Sequence, residues 1–148
     1  MQTFEMTVSV LPADIDEQNH VNNTVYLRWV QDVATAHWKA LANAEAQAAI
    51  RWVVVRHEID YKSPACLRDE VLLRTWVGEA SRLKFERFTE IRRKSCPERS
   101  QRIDPPLDGS AAANQQLLAQ ARTLWVPIDT RTGKPTRVPA DLRAQFST

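Results

Sequence analysis

The sequence predicts an α+β domain, an antiparallel sheet of about five strands with one long helix packed against it. Three observations point to this. One stretch repeats apolar residues at helical spacing, with Tyr26, Trp29, Val33, Ala36 and Ala40 three or four apart. Four later segments have strand length and strand composition. Those segments follow the helix as a run instead of alternating with further long helices, which favours an antiparallel α+β arrangement over βαβ units.

Residues 4–11, FEMTVSVL, are rich in branched and aromatic side chains and end at Pro12, so they form the first strand. A polar loop follows. Asn22 or Asn23 supplies an N-cap for the helix, which is expected over 24–42 with Tyr26, Trp29 and Val33 as core. The alanine-rich NAEAQAAI, 43–50, favours a further turn or two of helix. In RWVVVRHEIDY, 51–61, residues Val53, Val55, His57, Ile59 and Tyr61 alternate with Arg56, Glu58 and Asp60, giving a second strand with His57 and Glu58 as packing and surface residues. Ser63 and Pro64 break it, and EVLLRTWVGE, 70–79, resumes the extended pattern up to Gly78. In RLKFERFTEIRRK, 82–94, Leu83, Phe85, Arg87, Thr89 and Ile91 alternate with charged neighbours to form a fourth strand.

Residues 95–114 hold three prolines, a glycine and small polar residues without periodicity, so a mobile loop is expected there. QQLLAQARTLWVPI has helical propensity, yet 117–127 is read as a fifth strand because the fourth then gains an antiparallel neighbour. TRTGKP forms a turn, and Pro139 opens a short terminal helix. One helix covers one face of such a sheet, so a second subunit is expected on the other, as a homodimer or homotetramer.

Composition bounds the rest. A chain of 148 residues, 43% hydrophobic, fits a single domain over 1–148. Twenty basic residues against 18 acidic ones leave a net charge of +2, which gives no reason to expect nucleic acid as a partner. The N-terminal segment lacks a basic region before an apolar run, and no apolar stretch approaches membrane-spanning length, so no membrane association and a cytoplasmic location are expected. Cys66 and Cys96 are far apart and have no metal-ligand spacing; no metal site is expected and neither cysteine is given a role.

The chemistry is concentrated in DIDEQNHVNNTVYLRW, residues 14–29. Acids, a histidine and amides arrive at the start of the helix, where free N–H groups and the positive dipole end make an anion site. This segment, with Asp14, Asp16, His20, Val21, Asn22, Asn23, Tyr26 and Trp29, resembles the hotdog-fold acyl thioesterases, the group that includes 4-hydroxybenzoyl-CoA thioesterase and the acyl-ACP thioesterases. Weaker similarities continue in Tyr61, Pro64, Ala65, Asp69 and TGKPTRVP.

The resemblance implies a hotdog fold, with the sheet wrapped around the helix, and hydrolysis of an acyl thioester. Acyl-CoA is favoured over acyl carrier protein by the short single domain. Asp16 takes the place of the catalytic carboxylate, acting either as general base toward water or as nucleophile. The backbone N–H of Asn23, with Thr24 beside it, would stabilise the oxyanion. His20 would position the water or the carboxylate. Arg82 and Lys84 correspond to positions that meet the phosphates of coenzyme A. No cofactor is implied beyond the coenzyme A of the substrate. One departure from the plant acyl-ACP pattern, Asp-x-Asn-x-His, stands out: here the run is Asp16, Glu17, Gln18, Asn19, His20, so either Gln18 substitutes for the amide or Asn19 turns inward. Two further readings stay open, an acyl-thioester-binding or hydratase-like member of the same fold and a ligand-free dimerisation module.

Overall fold

The computed structural model describes residues 2–95 and 115–147. The loop expected at 95–114 lies, apart from Ser95, outside the described residues. The elements run β1 (Thr3–Ser9), α1 (Asn23–Leu41), α2 (Ala44–Ala49), β2 (Ile50–Tyr61), β3 (Glu70–Ala80), β4 (Phe85–Ser95), β5 (Gln116–Asp129) and α3 (Ala140–Ser147). The five strands form one antiparallel sheet in the order β1-β3-β4-β5-β2, with α1 against its inner face, the hotdog arrangement that the sequence implies. The choice of strand for 117–127 holds: β5 pairs with β4 through Phe85 opposite Trp125 and Ile91 opposite Ala119. It also pairs along its other edge with β2. These two partners satisfy its backbone, which overrides a helical propensity of only a few tenths of a kcal/mol per residue.

Helix α1 starts where its cap dictates. The Asn22 side chain accepts the Thr24 N–H at 3.0 Å, and the backbone of Asn22 is extended. Its buried stripe is Val25, Tyr26, Trp29, Val30, Val33, Ala34, His37 and Trp38. The expected continuation through Ala36 and Ala40 is displaced, because Ala40 is exposed and the stripe passes instead through His37. The alanine-rich 43–50 segment is a separate short helix, α2, capped by Asn43 through the Ala46 N–H at 2.8 Å.

The alternation read in β2 is corrected at one point. The ladder between β2 and β5 slips between Val54 and Arg56, so Val55 is a bulge. Trp52 and Val54 therefore share the inner face with His57 and Ile59, whereas Val53 and Val55 are exposed. A single extra residue reverses the face of everything before it.

The inner face carries Val71, Leu73, Thr75 and Val77 on β3 and Phe85, Arg87, Thr89 and Ile91 on β4, all buried. It packs in two clusters, one with Tyr26, Trp29, Val30 and Val33 toward the start of α1, the other with Trp38, Phe85, Trp125 and Phe146 toward its end. The outer face is not an apolar surface. It carries ion pairs, Arg92 with Glu90 at 2.9 Å and Arg122 with Glu86 at 2.5 Å, around one stacked pair, Trp76 on Phe88. Gly78 makes room for that pair, since a Cβ there would lie 2.6 Å from the Phe88 ring. Exposed apolar side chains collect instead on β2, an edge strand, at Val53, Val55 and Tyr61. No helix among the described residues is long and apolar enough to cross a membrane.

Candidate active site

The segment between β1 and α1 is a closed loop. Ile15 bridges to Val21, Asp16 N–H donates to the His20 carbonyl at 2.9 Å, and Asn19 N–H donates to the Asp16 carbonyl at 3.1 Å. The tight reversal needs a residue at positive φ, and Asn19 supplies it at 64°. Asn19 is thus a turn residue outside the wall of the adjoining cleft, while Gln18 lines it. Of the two amides the sequence left open, Gln18 is the one that lines the cleft.

The two aspartates have different jobs. Asp14 is buried; its Oδ1 accepts from Arg28 of α1 at 3.0 Å, its Oδ2 accepts the Leu11 N–H at 2.9 Å, and its carbonyl accepts the Asn22 N–H at 2.9 Å. It ties the loop to the helix. Asp16 is half-buried and its Oδ1 accepts the N–H groups of Gln18 at 2.9 Å and His20 at 3.3 Å. Among the described residues its Oδ2 has no hydrogen-bond partner, and the side chain lines a cleft of about 920 Å³.

That cleft is walled by Asp16, Gln18, His20, Asn22, Asn23, Tyr26, Tyr61 and the 62–64 turn. Its floor is the start of α1. There Asn22 N–H is taken by Asp14, Thr24 N–H by the Asn22 side chain, and Val25 N–H by the Asn22 carbonyl. Among the described residues the Asn23 N–H alone in this turn has no acceptor. Thr24 is therefore not a second oxyanion donor as the sequence had allowed, because the cap occupies its N–H. The His20 side chain is exposed and lines the cleft without a hydrogen bond to Asp16; its backbone holds the loop.

The far wall rests on residues that sequence reading gave little weight. Tyr26 OH accepts the Ala65 N–H at 2.9 Å, and burial pushes its phenol above the usual range, keeping the hydroxyl protonated. The Ala65 carbonyl in turn accepts from Val21 at 3.2 Å. Beneath them Arg93 pairs with Asp69 at 2.9 Å, donates to the Pro64 carbonyl at 2.8 Å and reaches Gln116. Asp69 also accepts the Cys66 N–H at 2.9 Å. The signal for these was the 61–69 segment itself, but the partner Arg93 lies on a different strand and no local pattern reveals it.

Arg82 and Lys84 are not brought to this cleft. They sit in the turn between β3 and β4, at the end of the sheet opposite the one where Val10 meets Asp69. Both are exposed, and Lys84 lines a shallow groove with Glu86 and Arg122. Among the described residues no group of three or more His, Cys, Asp or Glu could hold a metal ion.

The profile of the thioesterase-like superfamily matches residues 10–146. The chain belongs to the thioesterase-like superfamily. Thioester hydrolysis is the activity class this membership carries. No curated protein sequence matches the chain. Among solved structures, this thioesterase-like protein is similar to 1,4-dihydroxy-2-naphthoyl-CoA thioesterase from Synechocystis, with 22% identity over 99% of this chain and 96% of that one and a TM-score of 0.73. A mutant 4-hydroxybenzoyl-CoA thioesterase complexed with 4-hydroxybenzoyl-CoA superposes with a TM-score of 0.79 at 16% identity, covering 99% of each chain. A Thermus thermophilus thioesterase complexed with coenzyme A and zinc gives 0.73 at 20% identity, over 97% of each. At these identities the likenesses establish the fold.

Proposed function

We propose that this thioesterase-like protein hydrolyses acyl-CoA thioesters in the cleft at the start of α1. One observation carries the reading: a carboxylate oxygen of Asp16 and the N–H of Asn23, both without a partner among the described residues, line the same cleft. A thioester carbonyl docked with its oxygen on that N–H presents its carbon to Asp16. The helix dipole and the N–H stabilise the developing oxyanion, and Asp16 either deprotonates water or attacks the carbon itself. The two backbone donors on Oδ1 fix the carboxylate in place, so little reorganisation is needed in the transition state. His20 and Gln18 line the approach and position water or the thioester. Coenzyme A enters as part of the substrate, in keeping with the 4-hydroxybenzoyl-CoA and coenzyme A named for two of the similar structures.

Arg82 and Lys84 fit this reading through a second copy. Two chains paired antiparallel along the exposed β2 edge would bring the β3–β4 turn end of one toward the cleft end of the other. Sedimentation equilibrium giving a monomer at all concentrations would remove that part.

The central test follows thiol release from a panel of aromatic and aliphatic acyl-CoAs. Asp16→Asn, which keeps an acceptor for both N–H groups, is expected to lower kcat at least about 100-fold with the melting temperature preserved. Equal rates in both proteins would sink the assignment.

A further inference from the structure

A second cavity, of about 270 Å³, opens under the other end of α1. Its wall residue Thr35 is roughly 18 Å along the helix axis from Asn23. Five aromatic side chains line it, Trp38, Trp52, Phe85, Trp125 and Phe146, and its charged residues, Lys39, Arg51 and Arg87, are all cations. Lys39 and Arg51 are exposed, whereas Arg87, on the inner face of β4, is 7% exposed.

Nη1 of Arg87 is committed, donating to His37 Nδ1 and Thr75 Oγ1, each at 3.0 Å. Among the described residues no carboxylate pairs with this guanidinium, and its Nε and Nη2 have no hydrogen-bond partner. A buried guanidinium stays charged, so it leaves an uncompensated cation beside an apolar cavity. A second donor in the wall is idle as well: Trp52 Nε1 is buried without an acceptor among the described residues. The cavity thus combines aromatic surface with a guanidinium fork and positive charge, a match for an anion carried on an apolar body.

We propose that this cavity binds the carboxylate of a small aromatic or medium-chain acid, with Arg87 as the ion-pair partner and the five rings around the apolar body. The carboxylate has two sources by chemistry, a free acid or the distal carboxylate of a dicarboxylic acyl group on a thioester. Binding of the free acid is independent of the proposed hydrolysis; the second source rests on it.

The test has two arms. Titration calorimetry of the wild-type protein compares 2-naphthoate with 2-naphthamide and octanoate with octanol, with quenching of the cavity tryptophans as a second readout. The acids are expected to bind about tenfold or more tighter than their neutral analogues, and Arg87→Met to abolish that preference. The comparison between acid and neutral ligand on the wild type stands even if the variant fails to fold. The second arm compares hydrolysis of hexadecanedioyl-CoA with palmitoyl-CoA, chains long enough to span the roughly 18 Å between Asn23 and the cavity. A fall of about tenfold or more in their ratio on Arg87→Met assigns the carboxylate to the acyl group. An unchanged ratio alongside selective acid binding assigns it to the free acid. No preference for the acid in the first arm and no change of ratio in the second overturn the proposal. If no acyl-CoA is hydrolysed, the first arm decides alone, which separates failure of this site from failure of the proposed activity.

Discussion

Nη1 of Arg87 lies 3.0 Å from Nδ1 of His37, and a guanidinium can only donate, so that ring nitrogen is the acceptor and the imidazole is neutral. His37 is 1% exposed, stacked on Phe4 and edge-on to Phe146. Burial first, and the charge of Arg87 second, hold its pKa down to about 4, against 6.5 in the unfolded chain.

A pH dependence follows with a definite sign. Between pH 6.5 and about 4 the unfolded chain binds the extra proton and the folded one does not, so stability rises with pH across that window. The contribution is fully present above pH 6.5 and is lost as pH falls to about 4, by up to roughly 3 kcal/mol for this group. Urea unfolding at pH 7 and pH 4.5 measures it. His37→Gln keeps an acceptor without a titration and should flatten the profile; superimposable profiles would remove His37 as its source.

The open N–H of Asn23 can be deleted with little harm to the helix. Asn23 is the first helical residue, where proline is favoured, and Asn22 before it is extended, with ψ of 138°, as a residue preceding proline prefers. Asn23→Pro should retain the melting temperature within a few degrees and lower kcat about 100- to 1,000-fold. Asn23→Ala, which keeps the N–H, should stay within a few-fold of wild type. Similar kcat values for the two variants would exclude the backbone donor.

Asp14 and Arg28 form an ion pair that the two ends do not share equally. The Arg28 side chain is 54% exposed and that of Asp14 4%. Arg28→Ala loses a solvent-screened interaction, about 0.2–1 kcal/mol. Asp14→Ala also strands the Leu11 N–H and loosens the loop carrying Asp16, so about 1–3 kcal/mol and a drop in kcat are expected. Chemical denaturation of both variants gives the comparison, and equal destabilisation would show that the Leu11 bond contributes nothing.

Arg93 and Asp69 are buried together, and Arg93 holds the Pro64 carbonyl in the cleft wall. Arg93→Met leaves a buried carboxylate uncompensated, for a loss of roughly 3–5 kcal/mol. Where the protein still folds, the 62–65 wall is released and KM should rise more than kcat falls. A variant with wild-type stability would show that Asp69 finds another partner or becomes neutral at no cost.

Much of this architecture was legible in the chain because it is local. Helical spacing from Tyr26 to Val33 marks α1, the amide at Asn22 marks its start, and the alternation of Phe85, Arg87, Thr89 and Ile91 marks the inner face of β4. The dense motif at 14–23 located the cleft, since a loop that closes within seven residues keeps its groups together in any fold.

Element type, the capped helix start and the Asp16 loop were therefore set by interactions within a few residues, and the order of amino acids alone was enough to specify them. Other features needed the packed chain. The bulge at Val55 was fixed by the ladder to β5, the burial of Arg87 against His37 by α1 crossing β4, and the separation of Arg82 and Lys84 from Asp16 by the length of the sheet. These relations join residues tens of positions apart, where burial and pairing are properties of the packed sheet and leave no periodic trace along the chain.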